Sequence, residues 1–145
     1  MGRATGNCKR KVHVERAIIM AFIAAMVMKF FIFDFMIAEG HSMTPAVEPG
    51  TILLVCKVFY GIRLPSFLSE SSSGAYLFRW GIPHKGDVVV FYTPLGEIAV
   101  KRCGEILAGQ MFYALGDNQA QSYDSRNYGL VPNDNIIGRV LGIKR

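Results

Sequence analysis

Apolar positions are unevenly distributed along the chain. Ala17 to Met28 is an unbroken apolar run, and after Lys29 it resumes through Phe33, giving 17 residues with one charge. That length lies at the short limit for a helix spanning a bilayer, and between Ala17 and Met28 no polar residue offers a wet face. Beyond it, short apolar stretches broken by Gly, Pro, Ser and Asn predict strands and turns. Thr51–Val58 is rich in branched residues, and Val88–Tyr92 reads as a buried strand. Thr93 to Gly96 supplies a turn, after which Glu97–Arg102 returns as the second arm of a hairpin. Met111–Leu115 and Ile136–Ile143 complete the strands, and no second helix is expected. Pro65–Gly74, with five serines, reads as a loop; the Tyr76, Leu77, Phe78 and Trp80 that follow suit a segment folding back on the core or, alternatively, an aromatic lip at the lipid interface.

Composition changes this picture little. The 145 residues allow one domain and a short appendage, and 51% hydrophobic against 19% charged residues excludes a disordered chain. The net charge of +5 looks like a nucleic-acid signal until it is divided: Arg3, Lys9, Arg10, Lys11 and Arg16 against Glu15 leave +4 in the first sixteen residues. A phosphate-binding face needs cations over the folded part, so no nucleic-acid partner is expected. A basic head before an apolar run orients the N-terminus to the cytoplasm. The small residues Ala21, Ala24 and Ala25 lie inside the run, which favours an uncleaved anchor over a cleaved export signal. The expected organisation is a cytoplasmic tail over 1–16, a transmembrane anchor over 17–33 and an extracytoplasmic domain over 34–145. Cys8, Cys56 and Cys103 have no metal-ligand spacing, and a Cys56–Cys103 pair stays open.

Three segments carry candidate chemistry. Gly40 to Pro45 forms a turn that can present the Ser42 hydroxyl together with backbone N–H groups. A base is then required; His41 is adjacent in sequence, but neighbouring side chains ordinarily point apart, and no histidine–aspartate pair is evident. Lys101 follows Ala99 and Val100 opposite the VVVF strand, where apolar surroundings would favour its neutral form. The polar stretch Leu115–Gly129 separates two apolar segments; Asp124 and Arg126 are close enough to pair, while Asp117, Asn118 and Ser122 can brace a bent backbone.

Together these segments resemble bacterial type I signal peptidase (leader peptidase), the serine–lysine protease family that removes signal peptides from exported proteins. The Ser-Met-x-Pro motif stands as Ser42, Met43, Thr44 and Pro45, and Lys85–Phe91 matches the family's R/K-G-D-V-V-V-F stretch. Lys101-Arg102 matches its Lys-Arg pair, and Gly116–Gly129 matches G-D-N-x-x-x-S-x-D-S-R-x-x-G without a gap. The resemblance implies a mainly β, membrane-anchored antiparallel fold with one N-terminal transmembrane helix in the bacterial cytoplasmic membrane. It implies Ser42 as nucleophile, Lys101 as general base, Ser122 as the group orienting that lysine, and Asp117, Asp124 and Arg126 as supports. The Ser42 N–H becomes the expected oxyanion donor; some relatives add a serine hydroxyl two residues earlier, where this chain has Gly40. Ala38 and Glu39, with Ile98, Ala99 and Val100, would bind a signal peptide in extended form, and neither metal nor organic cofactor is implied. Implied partners are preprotein signal peptides, membrane lipid and a nearby secretion translocon. Only ten residues, Cys103–Phe112, stand where relatives carry a long second β region, so the accessory subdomain is reduced. A specialised peptidase for pilin or conjugation proteins, and an inactive export-substrate binder, remain alternatives.

Overall fold

The computed structural model describes residues 5–63 and 76–144; the serine-rich 66–74 segment lies outside them. The chain divides after Ile32 into two compact units. The first holds helix α1, Thr5–Val27, followed by a π-helical Met28–Ile32. The second is a seven-stranded antiparallel sheet with a separate two-stranded one.

The expectation of a transmembrane helix over 17–33 is corrected. Among the described residues no helix is long and apolar enough to cross a membrane. Helix α1 begins twelve residues before Ala17, and its first half is the basic, polar stretch. Its apolar part, Ala17–Val27, has eleven residues, about 16 Å of helix against the roughly 30 Å of a hydrocarbon core. The rest of the apolar run changes geometry at Met28, and Phe33 already opens a strand. The single-pass anchor and the cytoplasmic-membrane localisation with a cytoplasmic N-terminus rested on that helix, and they go with it.

The strands are β1 (Phe33–Ile37), β2 (Ile52–Cys56), β3 (Gly61–Arg63), β4 (Tyr76–Arg79), β5 (Val88–Tyr92), β6 (Ile98–Leu107), β7 (Met111–Leu115), β8 (Val131–Pro132) and β9 (Ile136–Lys144). The large sheet runs β1-β2-β9-β5-β6-β7-β8, and β3 pairs with β4. Strand β5 lies at its centre and is buried on both faces: Val89 and Phe91 pack with Tyr60, Cys103, Phe112 and Ile136, while Val90 packs with Met43, Val47, Leu53 and Val55. Burial on both faces is why its sequence is continuously apolar rather than alternating. The β5–β6 turn closes with Gly96 N–H on Thr93 O at 2.9 Å, Gly96 having φ +84°. Its register sets Val89 opposite Lys101.

Asp87 fastens the start of this hairpin to the rest of the sheet. Its buried carboxylate accepts from the Tyr60 hydroxyl at 2.8 Å and the His84 N–H at 3.0 Å, and meets Arg139 of β9 at 2.9 Å. Cys56 and Cys103 are both buried free thiols; burial, with Asp87 nearby, pushes the Cys103 thiol up to about 11. Strands β6 and β7 join through a tight turn in which Ala108 and Gly109 have φ 49° and 68°. Asn133 clamps it, its side chain donating to Gly109 O and its N–H to Gln110 O, each at 2.8 Å. The β4 residues Leu77 and Phe78, with Trp80 just after, are exposed, whereas the Tyr76 hydroxyl donates to Ile136 O at 2.9 Å.

Candidate active site

Ser42 sits half-buried in the turn after β1, which begins at Gly40 with φ +76°. The turn is held down by its apolar residues: Met43 and Val47 are buried with Leu53, Val55 and Val90, and the Val47 N–H donates to Met43 O at 2.8 Å. His41 beside it is exposed.

Lys101 is 5% exposed. It shares a face of β6 with Ala99 and Cys103, which pack with the core residues around Val89 and Phe91, so strand alternation turns it inward. Burial lowers the pKa of its amine; the Asp124 carboxylate opposes this, and the Arg126 guanidinium adds to it.

The loop after β7 meets both segments. Asp124 is fully buried and caps the one-turn helix α2 (Ser125–Tyr128). It accepts from the Ser122 hydroxyl at 2.7 Å, the Gly116 N–H at 2.8 Å and the Arg126 N–H at 3.1 Å. The Arg126 guanidinium binds it in a fork at 2.8 and 2.6 Å. Burial works against the Asp124 charge, but the Arg126 side chain and these other donors prevail and hold its carboxyl well below the usual range. Asp124 in turn raises the pKa of Arg126.

Gly116 is where the segments converge. A Cβ there would collide with Ser122 Oγ and lie 2.7 Å from the Ser42 carbonyl oxygen. Gly116→Ala is therefore expected to force the serine turn and the loop apart. We expect a loss of about 1–3 kcal/mol in stability, with activity falling at least in proportion, checked by urea unfolding and cleavage rates on one preparation.

Asp117 takes Arg102 of β6 bidentately, at 2.8 and 2.7 Å; Arg102 also donates to Gly86 O at 2.9 Å, and the Asp117 bond raises its pKa. Arg102 had no role in the sequence reading beyond its place beside Lys101. The register that sets it opposite Leu115, two residues before Asp117, is the signal that connects them. The four-residue helix α2 was too short to leave a periodic pattern.

Of the expected peptide-binding positions, Ala38 has its side chain in the core, and both its backbone groups are taken, by Thr51 at 2.9 Å and Gly50 at 2.8 Å. It can offer an incoming chain packing but not pairing. Glu39 and Ile98 are exposed, and Ala99 and Val100 half-buried. Among the described residues no group of three or more His, Cys, Asp or Glu is placed to hold a metal ion.

An antiparallel sheet bringing a serine turn and a carboxylate-braced loop together, with a buried lysine electrostatically coupled to that loop, has the make-up of a hydrolase site. The family model described as signal peptidase, peptidase S26, matches residues 11–104 and 97–143, and the chain belongs to that peptidase family. Signal peptidase I of Bacillus caldolyticus is 25% identical over 154 residues, covering 82% of this chain and 85% of that protein. Signal peptidase I T of Bacillus subtilis is 25% identical over 166 residues, covering 92% and 86%. Signal peptidase I of Pseudomonas aeruginosa is 38% identical over 73 residues, half of this chain and 23% of that protein.

Proposed function

We propose that the chain is a serine endopeptidase that removes signal peptides from exported preproteins after small residues, with Ser42 as nucleophile and Lys101 as general base. The observation that carries this is the burial of Lys101 beside the Asp124–Arg126 loop, which favours the neutral amine a base requires. Neutral Lys101 takes the Ser42 proton as the hydroxyl attacks the scissile carbonyl. The tetrahedral intermediate then collapses to an acyl-ester, and the lysine returns the proton to the leaving amine. Water activated by the same amine releases the acyl group. Ser122 spends its proton on Asp124, so its oxygen is left to accept from Lys101 and orient it. Asp124 and Arg126 hold Ser122, and Asp117 ties the loop to Arg102 on the strand of the base. Glu39 and the Ile98–Val100 segment would pair with an extended substrate while Ala38 packs against it.

The family membership and the relatives named signal peptidase I support the substrate class. The test is incubation of the purified protein and its Ser42→Ala variant with a panel of preproteins, including pilin-type precursors. Ser42-dependent cleavage after small residues across the panel is expected. Cleavage confined to pilin-type precursors would mark the specialised enzyme, and equal cleavage by the alanine variant would overturn the assignment.

A further inference from the structure

The two peptide groups flanking the Ser42 Cα are each held by one small polar pair. The His41 carbonyl accepts from the Thr44 hydroxyl at 2.7 Å and from the Thr44 N–H at 3.3 Å. The Ser42 carbonyl accepts from the Asn118 N–H at 3.0 Å. Asn118 Nδ2 closes the circuit by donating to Thr44 Oγ1 at 3.0 Å, and it also reaches Gln121 Oε1 at 3.3 Å.

The His41 carbonyl and the Ser42 N–H belong to the same peptide group. A hydrogen bond accepted at the carbonyl polarises that group and strengthens its N–H as a donor. The Asn118 bond fixes the next peptide group, so both dihedrals at Ser42 are constrained, one by Thr44 within the turn and the other by Asn118 from the loop after β7. Gly40 contributes no hydroxyl nearby, which places more weight on this one N–H.

We propose that Thr44 and Asn118 are positioning residues that orient and polarise the His41–Ser42 peptide group so that the Ser42 N–H stabilises the oxyanion. This rests on the reading of Ser42 as nucleophile. The pair also links the nucleophile turn to the loop that carries Asp117, Ser122 and Asp124, so the donor and the supports of the base move as one body. Thr44 acts through its hydroxyl and Asn118 through both its backbone and its amide side chain; neither touches the substrate.

The test compares wild type with Thr44→Val, Thr44→Ser and Asn118→Ala in single-turnover cleavage of a preprotein, alongside the NMR resonance of the 15N-labelled Ser42 amide. Thr44→Val and Asn118→Ala should each lower kcat at least about tenfold with KM within about twofold, the signature of an interaction made in the transition state. Thr44→Ser should restore kcat to within about twofold, and activity, which should rise with pH as the Lys101 base deprotonates, should keep the midpoint of that rise in all variants. The Ser42 amide resonance should shift in Thr44→Val and return in Thr44→Ser. Wild-type kcat in Thr44→Val, a loss confined to KM, or a serine variant as impaired as the valine one would overturn the proposal. Should the wild type cleave nothing, the peptidase reading fails on its own, while an unshifted Ser42 amide in Thr44→Val still overturns the positioning. Asn118→Ala, which leaves the Thr44 hydroxyl in place, decides the matter if Thr44→Val does not fold.

Discussion

Lys101→Arg and Lys101→Met are each expected to lower the cleavage rate by about 10³-fold or more. Arginine keeps the positive charge, but its guanidinium stays protonated at any useful pH and cannot accept the Ser42 proton. Methionine keeps the length and apolar stem and removes the amine. What separates loss of a base from general damage is stability. Burial depresses the folded-state pKa of Lys101 below its ordinary value of 10.5, so the unfolded chain binds the extra proton more readily. Below the depressed value the folded state bears the whole cost of a buried ammonium. That cost fades as pH rises from there toward 10.5, and wild-type stability climbs through that window. The methionine variant, with no charge to bury, should therefore melt at or above the wild-type temperature near neutral pH, its advantage shrinking as the solution becomes alkaline. Cleavage rates together with melting temperatures at several pH values check both halves; near-native turnover by Lys101→Arg would remove the lysine from the role of base and return attention to His41.

Asp124→Ala should cost about 3 kcal/mol of stability and most of the activity. Removing this buried carboxylate leaves the Gly116 N–H, the Ser122 hydroxyl and the Arg126 guanidinium without their acceptor at once. The cost falls at the lower end for a broken buried pair because the Arg126 side chain is 40% exposed and can rehydrate. Asp124→Asn keeps the shape and should lose less. The carboxyl is held below its ordinary value of 3.8, so its contribution is present in full above that pH and is lost as pH falls toward the depressed folded value. Wild type should therefore lose stability more steeply than Asp124→Asn below about pH 4. Parallel acid-unfolding curves for the two proteins would show the role to be absent if no difference in slope emerged.

Much of the sheet was legible because its elements carry local signals. The β5–β6 hairpin announces itself through a continuous apolar strand, a Thr-Pro-Leu-Gly turn and a mixed return strand, and this register places Lys101 opposite Val89. The apolar run at the N-terminus misled because hydropathy reports burial or lipid preference but not where a helix stops. Helix α1 extends back through the basic residues and ends at Val27, and Phe33–Ile37 gives its hydrogen bonds to β2, a tertiary pairing with no local signal. Asp124 and Arg126, two residues apart, were legible as a pair. The partner of Asp117 was not, since Arg102 lies fifteen residues away and meets it only through the β6–β7 register. The Thr44–Asn118 contact spans 74 residues and depends on the closeness of backbones at Gly116.

The central claim is that Ser42 carries the covalent intermediate. Rapid mixing of the protein with a preprotein, acid quenching within one turnover and mass spectrometry of the digested products tests it most directly. The expected result is an acyl-ester on the peptide containing Ser42, matched in mass to the signal-peptide fragment ending at a small residue, and absent from Ser42→Ala and Lys101→Arg. Cleaved preprotein with no adduct on Ser42 under conditions that trap it, or an adduct on another residue, would contradict it.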